Sequence, residues 1–198
     1  MVTKTVIFFH QIYTDRQLRQ LYTFLIISAF ILGNLSLQVT GQESWKIQRI
    51  ESEINFDGIP DEPAWQEVEP FPLVTYLPVS GKVPNEESVI RMAYDKQYVY
   101  LGGLLYVSDP DHVQAIGKKR DMMGMSTDWL GIELDTYNDK ENALFFMTNP
   151  NGLRLDGTIF NDATPRGEEP PMDINWNTFW DVKTFVDNEG WYAEMRIP

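Results

Sequence analysis

The chain has 198 residues, a formal net charge of −13 and no cysteine. That length holds one ordinary domain plus a targeting segment. The acidity repels phosphate backbones and so argues against nucleic-acid partners; the missing thiols exclude disulfides, a cysteine-borne lipid anchor and a thiolate zinc site.

At the N-terminus, Lys4, Arg16 and Arg19 precede an uncharged run over 20–42 with an apolar centre at 21–32. The small residues Val39-Thr40-Gly41 stand before Gln42. This order is that of a helical secretory signal peptide, residues 1–41, ahead of a domain over 42–198. An uncleaved anchor is the alternative, because the run approaches membrane-spanning length. Loss of 1–41 removes Lys4, Arg16, Arg19 and Asp15 and leaves a charge of about −15. Such a surface suits neutral ligands or calcium, and equally serves plain solubility.

Residues 54–65 read as strand, tight turn and short helix. Gly58 tolerates the positive φ of an abrupt turn, Asp61 is a helix cap, Pro63 suits the first turn, and Trp65 folds back onto the core. Beyond it, hydrophobic alternation with turn signals about every ten residues predicts an all-β, antiparallel β-sandwich of jelly-roll or immunoglobulin-like type. Strands are expected at 88–95, 98–107, 128–135, 142–149, 153–161, 179–186 and 191–197. In the second, Val99, Leu101, Leu105 and Val107 share one face, and Tyr98, Tyr100 and Tyr106 the other. Asp95-Lys96-Gln97 and Asp187-Asn188-Glu189-Gly190 are turns. A second helical segment is expected near 110–118, and the proline-rich stretch 164–171 is a polar loop.

The stretch Ile54-Asn55-Phe56-Asp57-Gly58-Ile59-Pro60-Asp61-Glu62-Pro63-Ala64-Trp65 resembles the opening of family 9 carbohydrate-binding modules. Three later segments are similar to further motifs of that family in the same order. They are the hairpin 91–101, with Lys96 in place of a second acidic residue, the strand 128–135, and the closing Gly190-Trp191-Tyr192-Ala193-Glu194-Met195-Arg196-Ile197-Pro198. The resemblance covers roughly 46–198. Asn149-Pro150-Asn151-Gly152, Leu155-Asp156-Gly157 and Asn175-Trp176-Asn177-Thr178-Phe179-Trp180 look like a subgroup found at the N-terminus of gram-negative outer-membrane β-barrel proteins. The resemblance implies an exported module of the periplasm, outer membrane or cell surface, associated with glycan breakdown or uptake, in a chain that continues past Pro198. It implies no required cofactor, structural calcium in some members, and contact with a membrane only through the signal segment or a C-terminal barrel.

Sugar binding needs an aromatic platform and fixed polar groups. Trp65, Trp180 and Trp191 read as core; Trp45 is uninformative. Trp129 shares a strand face with Glu133 and Asp135, so it either packs under a loop or against a second aromatic, or touches ligand. Trp176, in the polar run 173–177, poses the same choice. The polar candidates are Arg120, Asn149, Arg154, Asp156 and Asn161. Arg154 and Asp156 point the same way, as ligand contacts or as a surface salt bridge. Asp135, Asn138, Asp139 and Glu141 crowd one loop with oxygen ligands, fitting calcium or an ordinary solvated turn.

The expected function is therefore non-catalytic binding of an oligo- or polysaccharide. A structural module of an outer-membrane protein is one alternative, marked by core packing of both Trp129 and Trp176. A glycoside hydrolase is another, but Asp128, Glu133, Asp156 and Glu194 stand in no motif that marks a catalytic carboxylate pair. No G-x-S-x-G and no phosphate-binding glycine loop is present.

Overall fold

Period-two alternation and β-branched or aromatic residues produce strands here, and the short turns between them produce antiparallel ladders. A computed structural model describes residues 45–198 apart from 77, 116, 125, 166, 168 and 169. The chain divides into Met1–Trp45 and Lys46–Pro198; the expected signal segment lies outside the described residues. Among the described residues no helix is long and apolar enough to cross a membrane.

The second unit contains β1 (Gln48–Arg49), α1 (Pro63–Gln66), β2 (Ser88–Tyr94), β3 (Val99–Tyr106), β4 (Leu130–Leu134), β5 (Ala143–Thr148), β6 (Leu155–Ile159), β7 (Met172–Asp173), β8 (Asp181–Val186) and β9 (Gly190–Ile197). One sheet has the order β1-β2-β3-β9-β8, the other β4-β5-β6-β7. All pairs are antiparallel except the two-residue β1, which lies parallel to β2. All seven expected strands are present, six with slightly shorter ends and the last beginning one residue earlier, at Gly190. The first part of the signature stretch, 54–56, forms no strand. The expected helix at 110–118 is only a 3-10 turn, Pro110–His112. Asp61 does not cap α1; Glu62 occupies the cap position and makes no side-chain cap bond.

The core follows from register. Met92 faces Leu101, Leu101 faces Met195, and Met195 faces Val182, so one apolar row crosses four strands. Leu130 and Phe146 of the other sheet join this row, together with Trp180 and Trp191. Each large side chain buried there contributes about 1.5–3 kcal/mol of transfer free energy. The second sheet is also apolar on its other face. Phe145, Leu155 and Ile159 form a separate cluster with Leu153, covered by Met122, Trp129 and Ile174.

The β2–β3 and β8–β9 hairpins share one turn chemistry. Asp95 Oδ1 accepts from the backbone N–H groups of Gln97 and Tyr98, and its Oδ2 accepts from the Tyr100 hydroxyl at 3.0 Å. Asp187 Oδ1 accepts from Glu189 N, Gly190 N and, at 3.0 Å, the Tyr192 hydroxyl. The Asp-to-Tyr spacing is the same in both. Burial, reinforced by the aspartate, pushes each tyrosine up to about 12. Hydrogen bonding from Gln97 N, foremost among the causes, holds Asp95 below its ordinary value.

Candidate functional site

The stretch that carries the family resemblance is held by Glu194, a 1 % exposed carboxylate on β9. Its Oε2 accepts from Asp57 N at 2.8 Å and Gly58 N at 2.9 Å, and its Oε1 accepts from Trp65 Nε1 at 3.0 Å. Gly58 has φ of +108°, and a Cβ there would lie 2.9 Å from Thr184 N, so geometry and space both demand glycine. At Gly102 a Cβ would come within 2.8 Å of Pro60 Cβ and 3.0 Å of the Trp65 ring. Trp65, fully buried, closes a small cluster with Ile50, Val68 and Ala93. Desolvation raises the Glu194 pKa against these hydrogen bonds. The motif is therefore a tether of the fold, and Glu194 is fully occupied by it.

Among the cavities of the described residues, one that holds a tryptophan lies at the end of β3. A groove of about 320 Å³ is lined by Glu86, Ser88, Leu105, Tyr106, Val107, His112, Asp128, Trp129 and Trp191. Leu105 and Trp191 are a cross-strand pair of the first sheet. Trp129 is placed by a two-bond link just before it: Asp128 N donates to Gln114 O at 2.8 Å, and Gln114 N donates to Asp128 Oδ2 at 3.0 Å. Glu86 accepts from Ser108 N and Ser108 Oγ, which ties the wall to the chain leaving β3. His112 Nε2 stands 3.9 Å from Asp109 Oδ2. The arrangement offers one half-buried indole with carboxylates, a hydroxyl and an imidazole around it. Chemically it can pack an apolar C–H face and accept or donate hydrogen bonds at a rim.

Trp129 does not stand on a polar face. Glu133 and Gly131 share its face within β4, but Phe145, Met147 and Leu155 on the neighbouring strands make that face apolar. Trp176 is half-buried against the main core, its ring edge-on to Phe146 at 6.4 Å and 76°. The two tryptophans thus pack on different clusters.

Arg120, Asn149, Arg154 and Asp156 come together, but as anchors for the loop at 117–121. Asp156 is fully buried; it takes a hydrogen-bonded ion pair from Arg120 Nη2 and a bond from Thr178 N at 2.9 Å. Arg154 does not pair with Asp156 as a surface salt bridge. Its Nη1 donates to Trp180 O at 2.8 Å, and its carbonyl accepts from Asp121 N. Asn149, also fully buried, accepts from Asn151 N and Leu153 N and donates to Gly117 O. Asn161 sits apart in the loop after β6, with φ of +58° and its amide bonded to Thr164 O.

In the loop of Asp135, Asn138, Asp139 and Glu141, the two aspartates spend their carboxylates on the loop itself. Asp135 accepts from Asp139 N and Lys140 N, and Asp139 accepts from Glu141 N, Asn142 N and Asn142 Nδ2. The Asn142 amide, the largest cause, holds Asp139 below its ordinary pKa. Among the described residues no three Asp, Glu, His or Cys side chains converge as a metal requires.

Sequence reasoning missed Glu86, Ser88, Tyr106 and His112 as groove residues, and weighed Asp128 only as an acid. No local signal marks them, because they come from three separate segments brought together by the β2–β3 register, the turn after β3 and the Gln114–Asp128 link. Compared with protein-family models, curated proteins and solved structures, the chain matches none.

Proposed function

We propose that the Lys46–Pro198 unit is a β-sandwich of jelly-roll or immunoglobulin-like type that acts as a non-catalytic carbohydrate-binding module on an exported protein. The observation that carries this reading is the Trp129 groove. One indole stands beside Glu86, Ser88, His112 and Asp128 in a space within the range of small-ligand sites. A sugar ring fits such chemistry, with its apolar face on the indole and its hydroxyls at the carboxylates and imidazole. The resemblance of 54–65 and 190–198 to family 9 modules supports the same substrate class and placement in the periplasm, outer membrane or cell surface. Calorimetric titration of the full chain with xylo-, cello- and manno-oligosaccharides, with and without calcium, tests it. Binding is expected, and Trp129→Ala should weaken it about tenfold or more. The calcium arm reads out the 135–141 loop.

A second reading is a structural, periplasmic N-terminal module of an outer-membrane protein that binds no sugar. It is favoured by the lean of both Trp129 and Trp176 onto apolar clusters. A folded sample that binds no sugar in the panel would select it.

A further inference from the structure

The Trp129 groove does not end at its own wall. Tyr106, which lines it, points to the outer face of the first sheet, where its ring meets Tyr192 edge-on at 6.1 Å and 79°. Tyr192 in turn stacks with Phe185 at 6.2 Å and 24°. Phe185 and Tyr192 are direct cross-strand partners in β8 and β9, and Tyr192 faces Leu104 of β3. The Tyr192 hydroxyl is fixed by Asp187, and its ring is only 5 % exposed, so it serves as a rigid support. Phe185 keeps 44 % exposure and is held on that support, offering its outward side to solvent. An aromatic path therefore leads from the groove, past Tyr106, across β9 to Phe185 on β8.

Resting on the carbohydrate-binding reading, we propose that this path is a second contact for an extended, neutral oligosaccharide chain, so that the module binds along a glycan rather than at a single sugar. Three observations bear on the occupant. The path is continuous with the groove through Tyr106. Its solvent-facing ring is flat and apolar, which suits the C–H face of a sugar and gives no hydrogen-bond readout for a folded protein partner. The chain carries a net charge of −13, and Asp187 and Glu189 lie in the turn beside Tyr192, which disfavours anionic chains. In a single-site module, affinity stops rising once one or two sugars fill the groove. With a second contact on the same surface, longer chains gain affinity without any change at Trp129.

The test is calorimetric titration of the full chain with bioses and hexaoses of the cello, xylo and manno series. The wild type, Phe185→Ala, Phe185→Leu and Phe179→Ala are compared. The Leu variant keeps apolar volume without a flat ring, and Phe179 is an exposed aromatic off the path. The expected result is a hexaose bound about tenfold more tightly than its biose by the wild type and by Phe179→Ala. That gain should be largely lost in both Phe185 variants, with biose affinity unchanged. Equal affinity for biose and hexaose, or a gain that survives Phe185→Leu and Phe185→Ala, overturns the path and leaves the Trp129 reading standing. Absence of any sugar binding by folded wild type overturns both.

Discussion

Two buried carboxylates, Glu194 and Asp156, do different work because of what surrounds them. Glu194 sits mid-strand on β9, and its donors are two backbone N–H groups of a tight turn and one indole N–H. Those donors cannot leave without unfolding the turn or expelling Trp65 from its cluster. Asp156 sits on β6 and takes one backbone donor, Thr178 N, besides Arg120, whose long side chain rises from a loop and remains 32 % exposed. Around that loop, Arg120 Nε, Asp121 Oδ1 and Thr127 Oγ1 are buried without a hydrogen-bond partner among the described residues. The lesson is that a carboxylate whose donors all belong to a tight turn and a buried ring fixes a fold, whereas one that shares its load between a backbone N–H and a loop side chain leaves its neighbourhood adjustable.

That difference is open to direct attack. The largest effect is expected for Glu194→Ala, which orphans three donors, one of them on a fully buried tryptophan. At about 1–3 kcal/mol per unsatisfied buried group, the loss should be about 3 kcal/mol or more, read from the urea midpoint. Asp156→Asn should cost less, about 2 kcal/mol, because Arg120 can turn to Asp121, whose Oδ2 is already 3.5 Å away. Equal losses in the two variants would erase the distinction between backbone-held and loop-held carboxylates.

The smallest expected effect is on pH dependence. Burial raises the folded-state pKa of Glu194, so the folded protein holds this proton to higher pH than the unfolded chain does. Between the two values the folded state binds more protons, and stability falls as pH rises. The fall begins near the ordinary value of 4.5 and ends once the folded-state value is passed. Subtracting the urea stability curve of Glu194→Gln from that of the wild type, over about pH 4 to pH 7, should leave this downward slope. A flat or rising difference would mean that the three hydrogen bonds outweigh desolvation.

Strand positions were legible because alternation in 88–107 and 179–197 is a local property of the chain, and the hairpin turns are marked by Asp95 and Asp187. Gly58 and Trp65 were legible for the same reason: a left-handed turn and a large apolar side chain each leave a local mark. Asp61 was misassigned as a cap because propensity favours aspartate over glutamate there, whereas the chain enters the helix at Glu62, whose carboxylate accepts from Asn55 N instead of capping. The apolar second face of the β4–β7 sheet was hidden, because Trp129 was judged by its own strand while Phe145 and Leu155 decide its surroundings from across the ladder. Asp156 likewise read as pointing with Arg154, as a ligand contact or a surface salt bridge, although Arg120, distant in sequence, reaches it.

The sequence by itself therefore determined the seven longer strands, the hairpin turns, the core tryptophans Trp65, Trp180 and Trp191, and the acidic character of the chain, since all of these are written in residue order and composition. Only the tertiary structure decided that Glu194 is a tether, that Asp156 belongs to Arg120, and that Trp129 meets Glu86, His112 and Tyr106 in one groove. Those outcomes depend on cross-strand register and on loops returning from far along the chain, and a one-residue change of register would send each side chain to the opposite face.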